Sequence, residues 1–175
     1  MRIYIVGSVA SGKSTLARRI SRITNIPCCH LDEVVYEEDP SSSWGDRKRS
    51  PEDRDALFHA VLERPDFIME DAGRECFFAG MEQADQIVLL EIPLYIRRKR
   101  ILTRWLKQNL GLEPCIYKPH FDMLKAMFQW AKNYDTGADG TKKRIEKYKE
   151  KTIVLRCNRD IKEYLKMLPR KKEDA

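Results

Sequence analysis

Along this chain, short apolar runs alternate with longer stretches in which apolar residues recur every third or fourth position. Near-continuous apolarity over a few residues marks strands buried on both faces. It predicts strands at 2–6, 28–31, 67–71, 86–90 and 152–157. The stretches between them carry helical spacing. Leu16, Ala17, Ile20 and Ile23 form the inner stripe of a helix over 15–23, with Arg18, Arg19 and Arg22 outside, and Asn25-Ile26-Pro27 stops it. Ser50-Pro51-Glu52-Asp53 is a helix start, with a capping Ser, Pro at the first helical position and acids in the first turn. That helix is expected to turn Leu57, Ala60 and Val61 inward. Further helices are predicted over 95–110, with Ile101, Leu102, Trp105 and Leu106 at helical spacing, and over 122–134, with Met123, Leu124, Met127, Phe128 and Ala131 inward. A basic helix is predicted over 142–151 and a last one from Asn158. Residues 37–50 read as a polar loop, 112–121 as irregular, and 135–141 as a turn.

Strands separated by helices predict a three-layer α/β/α sandwich around a parallel sheet. With 175 residues and neither repeat nor linker, the chain is expected to form one domain.

The first strand runs into Gly7-Ser8-Val9-Ala10-Ser11-Gly12-Lys13-Ser14, which is G-x-x-x-x-G-K-[ST] between a strand and a helix. Glycines let such a loop turn its backbone N–H groups inward around phosphate oxygens, and the positive end of the next helix points at the same place. Gly7, Ser8, Val9, Ala10, Ser11, Gly12, Lys13, Ser14 and Thr15 are therefore the expected nucleotide cradle. Lys13 is expected to reach the β- and γ-phosphates, and the Ser14 hydroxyl to hold Mg²⁺. ATP and Mg²⁺ are the cofactors this implies.

Composition narrows the setting. The net charge of +6 favours anionic ligands without choosing between nucleotide and nucleic acid. No apolar run approaches the roughly 18 residues of a membrane-spanning helix. The N-terminus enters a strand without a signal-peptide pattern. The five cysteines are odd in number and lack repeated spacing, which argues against a disulfide framework and points to a reducing cytoplasm. Cys28 and Cys29 are expected to alternate across a strand as buried thiols, without a metal. The oligomeric state stays open between monomer and dimer.

Other residues qualify for chemistry by position. Asp32 and Glu33 follow a strand at the carboxyl edge, where open α/β sheets bind ligands; Asp32 is a candidate for contacting a substrate hydroxyl or supporting the metal. Glu70 and Asp71 close the third strand, where a P-loop enzyme needs an acid for Mg²⁺, and the sequence does not choose between them. Trp44 beside Arg47 offers a ring to stack and a charge for phosphate. Arg100 and Arg104, four apart, share one helix face and are candidates to neutralise a transferring phosphoryl group.

On these residues the chain resembles the small P-loop kinases of the adenylate kinase-like group. Within them it is most similar to the FlaR-like proteins labelled DNA topology modulation protein, over residues 1–168. The P-loop, His30-Leu31-Asp32, Trp44 with Arg47, Glu91-Ile92-Pro93, and Trp130 with Tyr134 carry the resemblance. It implies strand order 2-3-1-4-5, a lid over 109–139, phosphate contacts from Arg100 and Arg104, and adenine near Asn158 and Arg159. It also implies that Glu70, with Asp32, Trp44 and Arg47, borders the acceptor. The chain departs from the group at Asp135 and Thr136, where arginines are usual, and at Glu70-Asp71-Ala72. The expected activity is Mg²⁺-ATP-dependent phosphoryl transfer to a small acceptor, a nucleotide or nucleoside first. The alternative is an ATP-binding or ATP-hydrolysing regulator associated with nucleic acid. It rests on net charge and the basic 142–151 stretch, without any DNA-reading motif. A third reading is a kinase-like protein that binds nucleotide without turnover.

Overall fold

β1 (Arg2–Gly7) is the middle strand of a parallel sheet with β5 (Phe67–Asp71) on one side and β6 (Gln86–Leu90) on the other. β2 (Cys28–His30) extends the sheet beyond β5, and β7 (Thr152–Leu155) extends it beyond β6. The order β2-β5-β1-β6-β7 is 2-3-1-4-5 when these five strands alone are counted. The computed structural model describes residues 1–42, 45–113 and 119–169.

Side chains along β1 alternate between two cores. Tyr4 and Val6 join Phe67, Met69 and Ile87 on one face; Ile3 and Ile5 join Ile68, Val88 and Leu90 on the other. α1 (Lys13–Thr24) and α8 (Asn158–Met167) cover the second face through Leu16, Ile20, Tyr164 and Leu165. α2 (Leu31–Val35), α3 (Pro51–Leu62) and α4 (Phe78–Gln83) cover the first. Cys28 packs toward one core and Cys29 toward the other, and burial pushes the Cys29 thiol up to about 11. A smaller cluster of Ile101, Leu124 and Ala131 joins α5 (Leu94–Asn109) to α6 (Phe121–Thr136) and receives Val9 and Ala10 of the P-loop.

Several elements differ from the sequence reading. Residues 37–50 are not a plain loop: β3 (Tyr36–Glu38) and β4 (Asp46–Lys48) form an antiparallel ribbon in which Glu37 faces Arg47 and bonds it at 2.6 Å. Leu31 opens α2 instead of ending β2, so Asp32 and Glu33 stand on that helix's first turn. α3 turns Phe58, Val61 and Leu62 inward, leaving Leu57 43% exposed and Ala60 exposed. The rotation follows from Phe58 stacking on Phe77 at 4.8 Å, and Phe77 lies in a 3₁₀ turn (Glu75–Phe77) that the apolar pattern did not reveal. The basic stretch is not one helix. α7 (Thr141–Ile145) is a single turn followed by a 3₁₀ segment (Glu146–Lys151), with Tyr148 out of helical dihedrals. The last strand stops at Leu155, and Cys157 caps α8 in reciprocal contact with Asp160.

Among the described residues no helix is long and apolar enough to cross a membrane, and Cys28, Cys29, Cys76 and Cys157 are free thiols. Phe77→Ala, which empties a fully buried site, should cost about 3–5 kcal/mol of unfolding free energy. Leu57→Ala should cost about 0.5 kcal/mol. Urea unfolding of the two variants checks this, and equal losses would overturn the assignment of the inward face.

Candidate functional site

The register of the sheet brings chemistry to its carboxyl edge. β1 ends at Gly7, beside Leu90, and a Cβ on Gly7 would lie 2.8 Å from the Leu90 carbonyl oxygen. Only glycine lets the chain leave the sheet there and enter the loop. Gly12 closes the loop at φ 102°, in the left-handed region, and caps α1. Between them Ser8 and Ser11 are buried. Lys13 lies back over the loop, its Nζ donating to the Ser8 carbonyl at 3.1 Å.

On β5, beside β1, Glu70 is in register with His30 of β2. Glu70 Oε1 accepts from Ser14 Oγ at 2.7 Å and from His30 Nδ1 at 2.8 Å. Glu70 Oε2 is buried without a hydrogen-bond partner. Burial alone would raise the Glu70 carboxyl; the His30 bond, the Lys13 charge and the Ser14 bond outweigh it and hold the group below its ordinary range. The Glu70 bond in turn raises His30, against the opposing effect of burial.

Asp71 is differently engaged. Its Oδ2 accepts from the backbone N–H of Gly73 at 2.6 Å and of Arg74 at 2.5 Å, and its Oδ1 accepts from the Arg74 guanidinium. Arg74 also donates to Asp32 Oδ1 at 2.5 Å. Asp71 therefore shapes the turn after β5, and Arg74 carries that turn to the exposed carboxylate of Asp32. From the other side, Arg144 donates to the Gly73 carbonyl at 3.0 Å, and Thr141 contacts the Ala72 carbonyl at 3.4 Å.

The arginines of α5 differ in their partners according to their place along the helix. Arg97 is 1% exposed. It donates to the Ile92 carbonyl at 2.8 Å, to Ser8 Oγ at 2.6 Å, to the Ala131 carbonyl at 3.2 Å, and to Asp135. Arg100 donates to the carbonyls of Ala10 at 3.2 Å and Ser11 at 2.8 Å. Arg104 pairs with Glu113 at 3.3 Å, half exposed. Arg100 and Arg104 line one open cleft of about 350 Å³ with Lys99, Lys107 and Glu113.

The structure thus gathers the loop residues Gly7 to Lys13 with Ser14, Glu70 and Arg100, and sets Asp32 and Asp71 nearby through Arg74. Arg47 lies in the ribbon against Glu37, 66% exposed. Asn158 and Arg159 stand exposed at the start of α8. Trp44 lies outside the described residues, as do residues 114–118 of the expected lid. The sequence reading assigned no role to His30, Arg74, Arg97 or Asp135. One signal did exist for Arg97: it shares the helical stripe of Ile101 and Gln108, both buried.

No family model matches the chain, and no curated protein matches it in sequence. In structure it is similar to an unliganded sugar kinase from Janibacter sp. HTCC2649 (TM-score 0.55, 15% identity, 94% of this chain and 92% of that one). It is similar to a deoxyadenosine kinase from M. mycoides with bound dATP (TM-score 0.54, 13% identity, 95% and 96%). A shikimate kinase from Acinetobacter baumannii in complex with shikimate is a third (TM-score 0.55, 12% identity, 94% and 88%). The fold is that of the P-loop kinases. At these identities the likeness is one of fold.

The His30–Glu70 pair has a pH signature. A raised imidazole adds stability in full below its unfolded value of about 6.5, and loses it as pH rises through the folded value. The lowered Glu70 contributes until pH falls through its own folded value. In metal-free protein, Glu70→Gln should bring the His30 midpoint down toward about 6.5, read by NMR of the imidazole. An unmoved midpoint would mean that the two groups do not interact.

Proposed function

We propose that this protein is a Mg²⁺-ATP-dependent phosphotransferase acting on a small acceptor, with a nucleotide or nucleoside as first choice. The observation that carries this reading is the Ser14–Glu70–His30 cluster beside Lys13 in a formed P-loop. Within the P-loop kinases we place the chain nearest the FlaR-like group, as one domain with a lid over 109–139, working in the cytoplasm.

The residues suit a divalent cation. Glu70 Oε2 is a buried carboxylate oxygen with no partner, and Ser14 Oγ sits on the same carboxyl group. Among the described residues no group of three or more His, Cys, Asp and Glu is gathered for a metal. Ser14 and Glu70 would therefore share the ion with phosphate oxygens. Mg²⁺, when bound, would neutralise charge on the β- and γ-phosphates. Asp71, with both oxygens engaged by the turn, is the weaker candidate for that role.

The loop amides of Ser8 to Ser14 hold phosphate oxygens, and Lys13 exchanges the Ser8 carbonyl for them. Asn158 and Arg159, following β7, border the adenine, with Thr15 behind the phosphates. Asp32, held by Arg74, accepts the hydrogen bond of the acceptor hydroxyl. Its proton passes to Asp32 as a new bond forms from that oxygen to the γ-phosphorus, and the bond to the β-phosphate oxygen breaks to release ADP. Arg100 and Arg104 supply positive charge to the transferring group once Arg104 leaves Glu113. Arg47 would meet the acceptor's charge, and Trp44, outside the described residues, is kept as the ring expected from the sequence to stack on it. The nucleic-acid reading loses its helix: Lys151 is tied to the carbonyls of Glu82 at 2.7 Å and Ala84 at 2.8 Å, and Arg144 to the turn after β5.

The test is Mg²⁺-dependent ADP formation from ATP over a panel of nucleosides, nucleoside monophosphates and small hydroxylated metabolites. Acceptor-stimulated turnover is expected, and Lys13→Ala should lose nearly all of it. Slow ATP loss indifferent to every acceptor would overturn the reading. With the acceptor in hand, Arg104→Ala should lower kcat by about 10³ or more with the fold intact. A loss of about two-fold would return Arg104 to a surface ion pair.

A further inference from the structure

Arg97 joins three parts of the molecule that the sequence keeps far apart. Its guanidinium, on α5, reaches the P-loop at Ser8, the turn after β6 at the Ile92 carbonyl, and helix α6 at Ala131 and Asp135. The ring of Tyr134, also on α6, lies 5.4 Å from its central carbon. A buried guanidinium is stable only while its donors and its charge are matched. Here the charge is matched by the Asp135 carboxylate, which belongs to the lid.

Ser8 adds a direction to this chain of bonds. Its oxygen accepts from Arg97, which leaves its own O–H to donate, and Ser8 is the first residue after Gly7 in the phosphate cradle. A phosphate oxygen accepting from Ser8 would sharpen the negative end of that hydroxyl where Arg97 binds it, since bonds in series polarise one another. We infer that Arg97 is a positioning residue through which phosphate occupancy at Ser8 is coupled to the seating of α6, with Asp135 as the receiving end. The inference rests on the nucleotide-binding reading of the P-loop. Coupling of this kind is reciprocal: whatever factor a seated α6 adds to nucleotide affinity, nucleotide adds to the seating of α6.

A second route between the same elements exists. Val9 and Ala10 pack against the Ile101, Leu124 and Ala131 cluster. Apolar contact of that kind tolerates small shifts, whereas the Arg97 chain demands a particular placement of α6. Asp135→Asn leaves the apolar cluster untouched and removes the charge, which separates the two routes.

The experiment measures ADP binding in the presence of Mg²⁺ by calorimetry, together with hydrogen exchange of the α6 amides with and without ADP. It uses wild type, Asp135→Asn, Ser8→Ala and Arg97→Lys. In wild type, ADP should slow exchange over 121–136. Asp135→Asn and Ser8→Ala should abolish that added protection and weaken ADP binding about ten-fold, while thermal unfolding shows both still folded. Arg97→Lys should not rescue, because one ammonium cannot span Ser8 and Asp135 together. ADP binding with the same α6 protection in wild type, Asp135→Asn and Ser8→Ala would overturn the inference and leave the nucleotide reading standing. Absence of ADP binding by wild type would overturn both.

Discussion

A single buried carboxylate organises the carboxyl edge of the sheet in this molecule. Glu70 is the penultimate residue of β5, one strand from the P-loop strand, where water cannot solvate its charge. It stays ionised because two elements supply three partners: Lys13 and Ser14 from α1, and His30 from β2. The partners depend on two different features of the fold. The parallel register of β2 on β5 delivers His30. The glycine turn after β1 aims Lys13 and Ser14. Shift any of these and an uncompensated charge is left in the sheet, which is among the costliest defects a fold can carry. The same arrangement leaves one carboxylate oxygen bare, and a bare buried oxygen is what a cation-binding acid requires.

The neighbouring acid does the opposite work with the same functional group. Asp71 points to the other face of β5 and is consumed by its own turn, fixing Gly73 and Arg74. Arg74 then extends to Asp32, and Arg144 and Thr141 of α7 grip the turn from outside. Two adjacent carboxylates thus serve opposite faces of the sheet, one bonded to the P-loop serine and one fixing the turn after β5. Side-chain alternation along a strand is the physical reason.

Much of this layout was legible in the chain before any coordinates. The P-loop is local: its spacing, strand and helix lie within two dozen residues. The five strands announced themselves as apolar runs, and their order followed from the family likeness. What stayed hidden was non-local. Choosing Glu70 over Asp71 needs the partner forty residues away that register alone brings in. Leu57 and Phe58 are equally apolar neighbours, and which one turns inward depends on Phe77, in a turn that carries no helical period. Arg97 belongs to the basic run 97–100, which does not distinguish it from its neighbours, and only the docking of α6 shows that it is enclosed. The ribbon at 36–48 has strands too short for alternation to show, held in place by Glu37 between Arg47 and Arg49.

The loop that is to receive phosphate is held from behind before any phosphate arrives. Arg100 ties down the carbonyls of Ala10 and Ser11, and Arg97 pins the hydroxyl of Ser8. Such a loop behaves as a stiff mould: little conformational entropy remains to be lost when an anion enters. If the proposed nucleotide binding holds, nucleoside di- and triphosphates would meet the same rigid floor, and any preference among them would arise elsewhere in the site. On that reading, selectivity would lie away from the glycines that first mark the loop.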